Sequence, residues 1–194
     1  MNQKINLSKI IRIITVAPLM ALIALSILFV CKPSIYGGTS NYILTLLFLT
    51  LLPLMAYPLQ PVAPHFKDKG RAGQRYLAIV MAVVGYIAGT IFALIKKTPK
   101  ELLLIFLIYL FSGVFIVIFN KVIKIKASGH ACGVAGPVAY MTYFLGPAAL
   151  LGLPIIAVVF WASLKTKRHT LSQLICGSVL PVAALFLSIL ILSI

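Results

Sequence analysis

The sequence predicts an all-α fold, a polytopic transmembrane helical bundle of six to seven helices, and three observations carry that expectation. Hydrophobic residues make up 62% of the 194-residue chain and charged residues only 10%, whereas a water-soluble domain needs roughly 25% charged residues to cover its surface. The apolar residues run in blocks close to the ~20 residues that cross a hydrocarbon core, and mean hydropathy is +1.13. The charges have one sign: 17 Lys and Arg stand against Asp68 and Glu101, for a net charge of +15. In a water-soluble protein that balance would point to nucleic acid. Beside long apolar runs it points to juxtamembrane cations that set topology and touch anionic lipid. The expected surroundings are therefore a lipid bilayer, with no nucleic acid as partner.

Each element follows from its residues. The chain opens on a basic head, Lys4, Lys9 and Arg12, and an apolar run over 10–30. That run is too long for a signal-peptide core and no cleavage signal follows it, so it reads as the first membrane helix. Further apolar segments fall at 42–60, 76–95, 102–120, 131–145, 148–164 and 170–194. KPSIYGGTSN separates the first two, KKTPKE the third and fourth, and LGPA the fifth and sixth; these are turn compositions. The fifth and sixth segments, at 15 to 17 residues, are short for a crossing and are expected to tilt little or to meet at a half-buried turn. Pro53, Pro58, Pro154 and Pro181 lie inside segments, where each is expected to kink its helix, as membrane bundles tolerate. With no internal repeat and no soluble-type stretch, 1–194 reads as one integral membrane domain. Cys31, Cys132 and Cys176 are widely spaced and form neither a disulfide framework nor a zinc motif. The two acids and three histidines are likewise scattered, so no metal or other cofactor is expected.

If all seven segments cross, the N-terminus and the links 61–75, 121–130 and 165–169 share one face. That face holds Lys4, Lys9, Arg12, Lys67, Lys69, Arg71, Arg75, Lys121, Lys124, Lys126, Lys165, Lys167 and Arg168, which is 13 of the 17 cations. The excess places it in the cytoplasm. All three histidines, His65, His130 and His169, fall on the same face, each near Lys or Arg.

Three polar links carry the chemistry. In KASGH, Ser128 and Gly129 precede His130 at the start of the fifth helix, with Lys126 four residues before it. A helix start presents free N–H groups, and glycine lets backbone approach an anion; an N-cap serine before an interfacial histidine would read the same way. In KRHTLSQ, His169 opens the last helix and Gln173 lies four residues on. That spacing shares a helix face, so Gln173 is expected to hold one ring nitrogen and turn the other outward. In PHFKDKGRAGQRY, Lys67, Lys69, Arg71 and Arg75 stand around Asp68, and forked Arg donors suit phosphate oxygens. A plain basic interfacial loop would also look like this.

A basic cluster, two crossings, Ser128-Gly129-His130, two more crossings and a helix-starting His169 together resemble the membrane-bound type 2 phosphatidic acid phosphatase (PAP2) superfamily over about residues 60–180, leaving the first helices unassigned. The resemblance implies that His169 is the nucleophile that becomes a phosphohistidine, that His130 is the general acid, and that Gln173 orients His169. It further implies that Lys126, Ser128 and the Gly129 amide, with some of Lys69, Arg71 and Arg75, bind phosphate oxygens. The chain departs from the family pattern at Gln173, where an Asp is usual, and at Ser163, where an Arg six residues before the nucleophile is usual. In the first motif, no Lys is followed seven residues later by Arg-Pro. A divergent prokaryotic branch is similar in reading His-Thr-x-x-Gln, as His169 to Gln173 does here.

The expectation is thus a metal-independent lipid-phosphate phosphatase or phosphotransferase of a prokaryotic plasma membrane, acting on a phosphomonoester or pyrophosphate lipid such as phosphatidate, phosphatidylglycerophosphate or polyprenyl phosphate. The alternative is a catalytically degenerate relative that binds or transports a lipid phosphate. A small channel would need charges within the helices, and the charges here sit at helix ends.

Overall fold

The computed structural model describes residues 7–193; Lys4 and Ile194, both used above, lie outside the described residues. Among the described residues all regular structure is helical, and the seven apolar segments of the sequence each carry helix. Helix α1 (Leu7–Ile14) leads into α2 (Ala17–Cys31). Helices α3 (Thr39–Leu46) and α4 (Leu52–Leu59) are joined by a π-helical turn into one rod. Next come α5 (Gly70–Ile95) and α6 (Lys100–Val117), the latter running on through a π-helical turn, Ile118–Val122. Helix α7 (Gly129–Leu145) turns at Gly146 into a short 3₁₀ stretch and α8 (Leu153–Lys165), and α9 (Leu171–Leu192) closes the chain.

Five rods are long and apolar enough to cross a membrane: Thr39–Leu59, Lys67–Ile95, Lys100–Val122, Pro147–Lys165 and Leu171–Leu192. Helices α1 and α2 make a sixth if the pair is taken as one span. Helix α7 has 17 residues, fewer than the ~20 of a full crossing.

The first predicted helix is corrected. Rather than running unbroken over 10–30, it bends by 53° between α1 and α2. The cause is Pro18, which sits in the first turn of α2: it has no N–H for the carbonyl four residues back, and its ring collides with that carbonyl. Val16 accordingly leaves the helical region, at φ −60° and ψ 144°.

Packing follows the rule for lipid surroundings, where small residues let helices close on one another and large aliphatic side chains face outward. Helix α5 shows both faces. Its buried positions include Gly73, Gly85, Gly89 and Ala93, while Val80, Val84, Ile87, Ile91 and Leu94 lie exposed along the opposite stripe. The Gly89 site admits the Phe106 ring and Gly85 admits the backbone of Phe48.

Helix α9 is the hub, packing mainly against α6 and α7. Its buried Leu174, Gly177, Pro181, Ala184 and Ser188 recur at helical spacing along one face. At Gly177 the Ser128 link comes so near that an added Cβ would lie 2.3 Å from the Ser128 carbonyl oxygen. Backbone cannot retreat there as a flexible side chain could, so Gly177→Ala should cost about 1–3 kcal/mol, the usual range for overpacking. A thermal melt in detergent, with Gly136→Ala as a control whose added Cβ meets Pro181 at 3.4 Å, reads the difference.

Candidate functional site

One end of the bundle opens into a cleft of about 820 Å³. Its walls come from five separated stretches: the α1–α2 break, α4 at Pro53 and Tyr57, the first half of α5, the end of α6 and its π turn with the start of α7, and the α8–α9 link. Five cations line it, Arg12, Arg75, Lys121, Lys126 and Arg168, together with His130 and His169. Among the described residues no carboxylate does. The cleft draws residues from the N-terminal stretch and from each of the links 61–75, 121–130 and 165–169.

His169 is held by the start of α9. Thr170 is the N-cap of that helix, its hydroxyl accepting from the Gln173 amide while the Gln173 side chain reaches back to the Thr170 amide, a reciprocal box that satisfies two free N–H groups. Gln173 Oε1 lies 3.3 Å from the Thr170 nitrogen and 3.1 Å from His169 Nδ1. An amide oxygen only accepts, so Nδ1 carries the proton and the lone pair sits on Nε2. Burial pushes His169 below the ordinary imidazole range; the hydrogen bond to Gln173 opposes this, and Arg12, Lys126 and Arg75 add to it. The ring is thus neutral at neutral pH with one free lone pair.

His130 is held from the opposite side. Its Nε2 is 3.1 Å from Thr15 Oγ1, and that hydroxyl spends its single proton on the Ile11 carbonyl at 2.7 Å. Thr15 must therefore accept, and His130 Nε2 donates. Nothing in the sequence pointed to Thr15, which is buried just before the break.

Of the phosphate-binding residues expected from sequence, Arg75, Lys126 and Gly129 line the cleft. The position of a Cβ at Gly129 is open space. Ser128 is placed otherwise. It is fully buried, its Oγ caps α7 by accepting from the Ala131 amide at 3.3 Å, and its own amide donates to the Gln173 carbonyl at 2.9 Å. It positions α7 against α9 and is not among the cleft-lining residues. Lys69 and Arg71 also stay outside: Lys69 is 3.3 Å from His65 Nε2 and lies over the Phe66 ring, and Arg71 is exposed on the first turn of α5. Of the cations that follow Ser163, Arg168 lines the cleft, whereas Lys165 stacks over Trp161 at 4.7 Å.

Arg12, Thr15, Asn120 and Lys121 are the cleft-side residues that pattern reading did not single out. The π turn carries Asn120 and Lys121 to the wall, a local widening that re-aims side chains at the end of α6. Asn120 Nδ2 donates to the Ala127 carbonyl at 3.3 Å, and its Oδ1 is buried without a partner among the described residues. Among the described residues no three His, Cys, Asp or Glu side chains cluster in metal-ligating fashion.

Beyond the cations the cleft continues as an apolar slot of about 480 Å³ between α5, α6 and α7. Tyr86, Ile116, Asn120 and Gly129 line both. The slot runs out to Ile79 and Val117, which are exposed on the outer surface.

No protein-family model, characterised protein or solved structure matches this chain.

Two measurements check this geometry. In a ¹⁵N NMR titration His169 should change protonation below the ordinary ~6.5 of an imidazole. Gln173→Asp should raise that midpoint, because a carboxylate favours the charged ring. A His169 that titrates at or above the ordinary value would contradict the burial described. Gly129→Ala should leave the melting temperature within about 1 °C, since its methyl meets open space, yet weaken binding of any anion seated on that backbone.

Proposed function

We propose that the protein is a membrane lipid-phosphate phosphatase or phosphotransferase of PAP2 type, acting on a phosphomonoester or pyrophosphate lipid through a phosphohistidine at His169. The observation that carries the reading is the free Nε2 lone pair of His169, set by Gln173, in a cation-lined cleft that runs on into an apolar slot. A phosphate among the cations with its hydrocarbon in the slot fits both compartments, and no soluble lobe is needed to present it.

In this reading Nε2 of His169 attacks phosphorus in line while the bond to the lipid oxygen breaks. His130 gives that oxygen its proton. Because Nε2–H of His130 is committed to Thr15, the proton to be transferred sits on Nδ1 of the imidazolium form. Burial, Arg12 and His169 disfavour that form in the empty cleft, so in this reading His130 takes up its proton together with the dianionic substrate. Water then attacks the phosphohistidine, His130 takes the proton back, and inorganic phosphate leaves; an alcohol in place of water gives transfer. Cations that neutralise the three equatorial oxygens supply the main stabilisation, as phosphoryl transfer asks for positioning and charge. Gln173 fixes the His169 tautomer but brings no negative charge, so the nucleophile stays neutral and reactive rather than ion-paired.

The degenerate-binder reading rests on that same missing charge: no carboxylate is present to stabilise His169 as an imidazolium when it departs from phosphorus. A non-enzymatic lipid-phosphate carrier would keep the cleft and lose turnover.

Phosphate release from phosphatidate, phosphatidylglycerophosphate and polyprenyl phosphate, by protein purified in detergent without added metal, separates the two. Wild type should release phosphate, and His169→Ala should reduce the rate by more than about a thousandfold, as loss of a nucleophile does. Thr15→Val should lower kcat by about ten- to a hundredfold with little change in KM, the size expected for an orienting hydrogen bond. Wild-type protein that binds these lipids and releases nothing would leave the carrier reading standing.

A further inference from the structure

Arg12 sits in an unusual electrostatic position for a half-buried guanidinium. Its Nη1 donates to Ser163 Oγ at 2.8 Å, and Ser163 is fully buried. Among the described residues this is the one hydrogen bond Arg12 makes, out of five N–H donors. The charged groups that face it are all cationic: Arg75 and Arg168 lie close enough to repel it, and Lys121 and Lys126 share the cleft. The only two acids of the chain are elsewhere, Asp68 in the turn before α5 and Glu101 at the far end on α6.

An arginine does not escape such a position by losing its proton. A partly desolvated cation among cations is costly unless a negative group completes it. A fixed fork with its remaining donors free matches an oxyanion with at least two oxygens. We infer that α1 is part of the binding site and that Arg12, aimed by Ser163, is the clamp that holds the phosphate group with Arg75 and Arg168. The inference rests on reading the cleft as a phosphate site and goes beyond it by assigning the central donor to the helix before the Pro18 bend. Arg12 and Thr15, three residues apart, lie on one side of the chain at the end of α1, Arg12 lining the cleft beside Arg168 and Thr15 meeting His130. Ser163 and Arg12 act as a pair, a small buried hydroxyl on α8 receiving a long cation from α1, two helices that pack directly together.

The test titrates inorganic phosphate into the full chain in detergent at constant ionic strength, by calorimetry, for wild type, Arg12→Gln, Arg12→Lys and Ser163→Ala. Wild type should bind saturably, Arg12→Gln at least tenfold more weakly, and Arg12→Lys and Ser163→Ala severalfold more weakly, since each keeps part of the clamp. Without phosphate, Arg12→Gln should melt at or above the wild-type temperature, because it removes repulsion; an arginine with a merely structural role would do the opposite. Equal phosphate affinity in wild type and Arg12→Gln overturns the inference, as does absence of saturable binding in wild type. If Arg12→Gln does not fold, wild-type affinity in both Arg12→Lys and Ser163→Ala overturns it. Binding that depends on Arg12, in a protein that releases phosphate from no lipid, would sink the phosphatase reading and leave the clamp in place. Turnover with unchanged KM in Arg12→Gln would do the reverse.

Discussion

The hydrogen bond from the Ser128 amide to the Gln173 carbonyl, 2.9 Å long and seated over Gly177, is the contact on which the arrangement of the cleft depends. It ties the first residue before α7 to the first turn of α9. Each of those helix starts carries one histidine, so the relative placement of His130 and His169 is set by backbone rather than by mobile side chains. Ser128 has no freedom left for another task, because its hydroxyl caps α7 and its carbonyl accepts from Cys132. A residue that looks like a ligand in the sequence is, in the fold, the joint between two helices.

Around that joint the charges are left unbalanced. A water-soluble protein would pair buried arginines with carboxylates, and this chain has only two acids to offer. Cations that repel one another lower the stability of the empty cleft, and an anion seated among them would recover that loss. The bulk of the fold is insulated from that strain. Packing beyond the cleft is apolar, from the Leu102–Tyr109 stretch of α6 to Tyr140 and Leu185. At the other end Tyr36 donates to the Leu25 carbonyl and closes on Phe29 and Tyr42.

Much of this was legible in the residues. Apolar run lengths located every helical segment, since hydrocarbon thickness and helix rise leave little choice. The contact of His169 with Gln173 was anticipated from their spacing, but its cause differs: His169 precedes the Thr170 N-cap, and the capping box, not a shared helix face, brings Gln173 Oε1 to its ring. What escaped was non-local. The Pro18 break was hidden because Pro18 sits near the start of an apolar run whose composition does not change across it. Arg12 read as a topology cation, and its neighbour Ser163 lies 151 positions away; a pair of that separation leaves no periodic trace. The π turn at Ile118–Val122 likewise leaves no mark in the hydropathy, so Asn120 was unremarked and Lys121 read only as a topology cation. Of Lys69, Arg71 and Arg75, some of which were expected in the pocket, Arg75 is the one that lines the cleft; a basic cluster in sequence does not say which of its members face inward.

The apolar slot between α5, α6 and α7 reaches the outer surface at Ile79 and Val117, and that opening changes how ligand concentration must be reckoned. A molecule entering by that side arrives by lateral diffusion in the plane of the bilayer, never passing through water. Its occupancy then follows its mole fraction among the surrounding lipids, and diluting a vesicle suspension leaves that quantity untouched. Adding detergent lowers it, and would also supply alkyl chains able to compete for an apolar slot. Affinities measured in micelles and in vesicles therefore coincide only when expressed per unit of amphiphile.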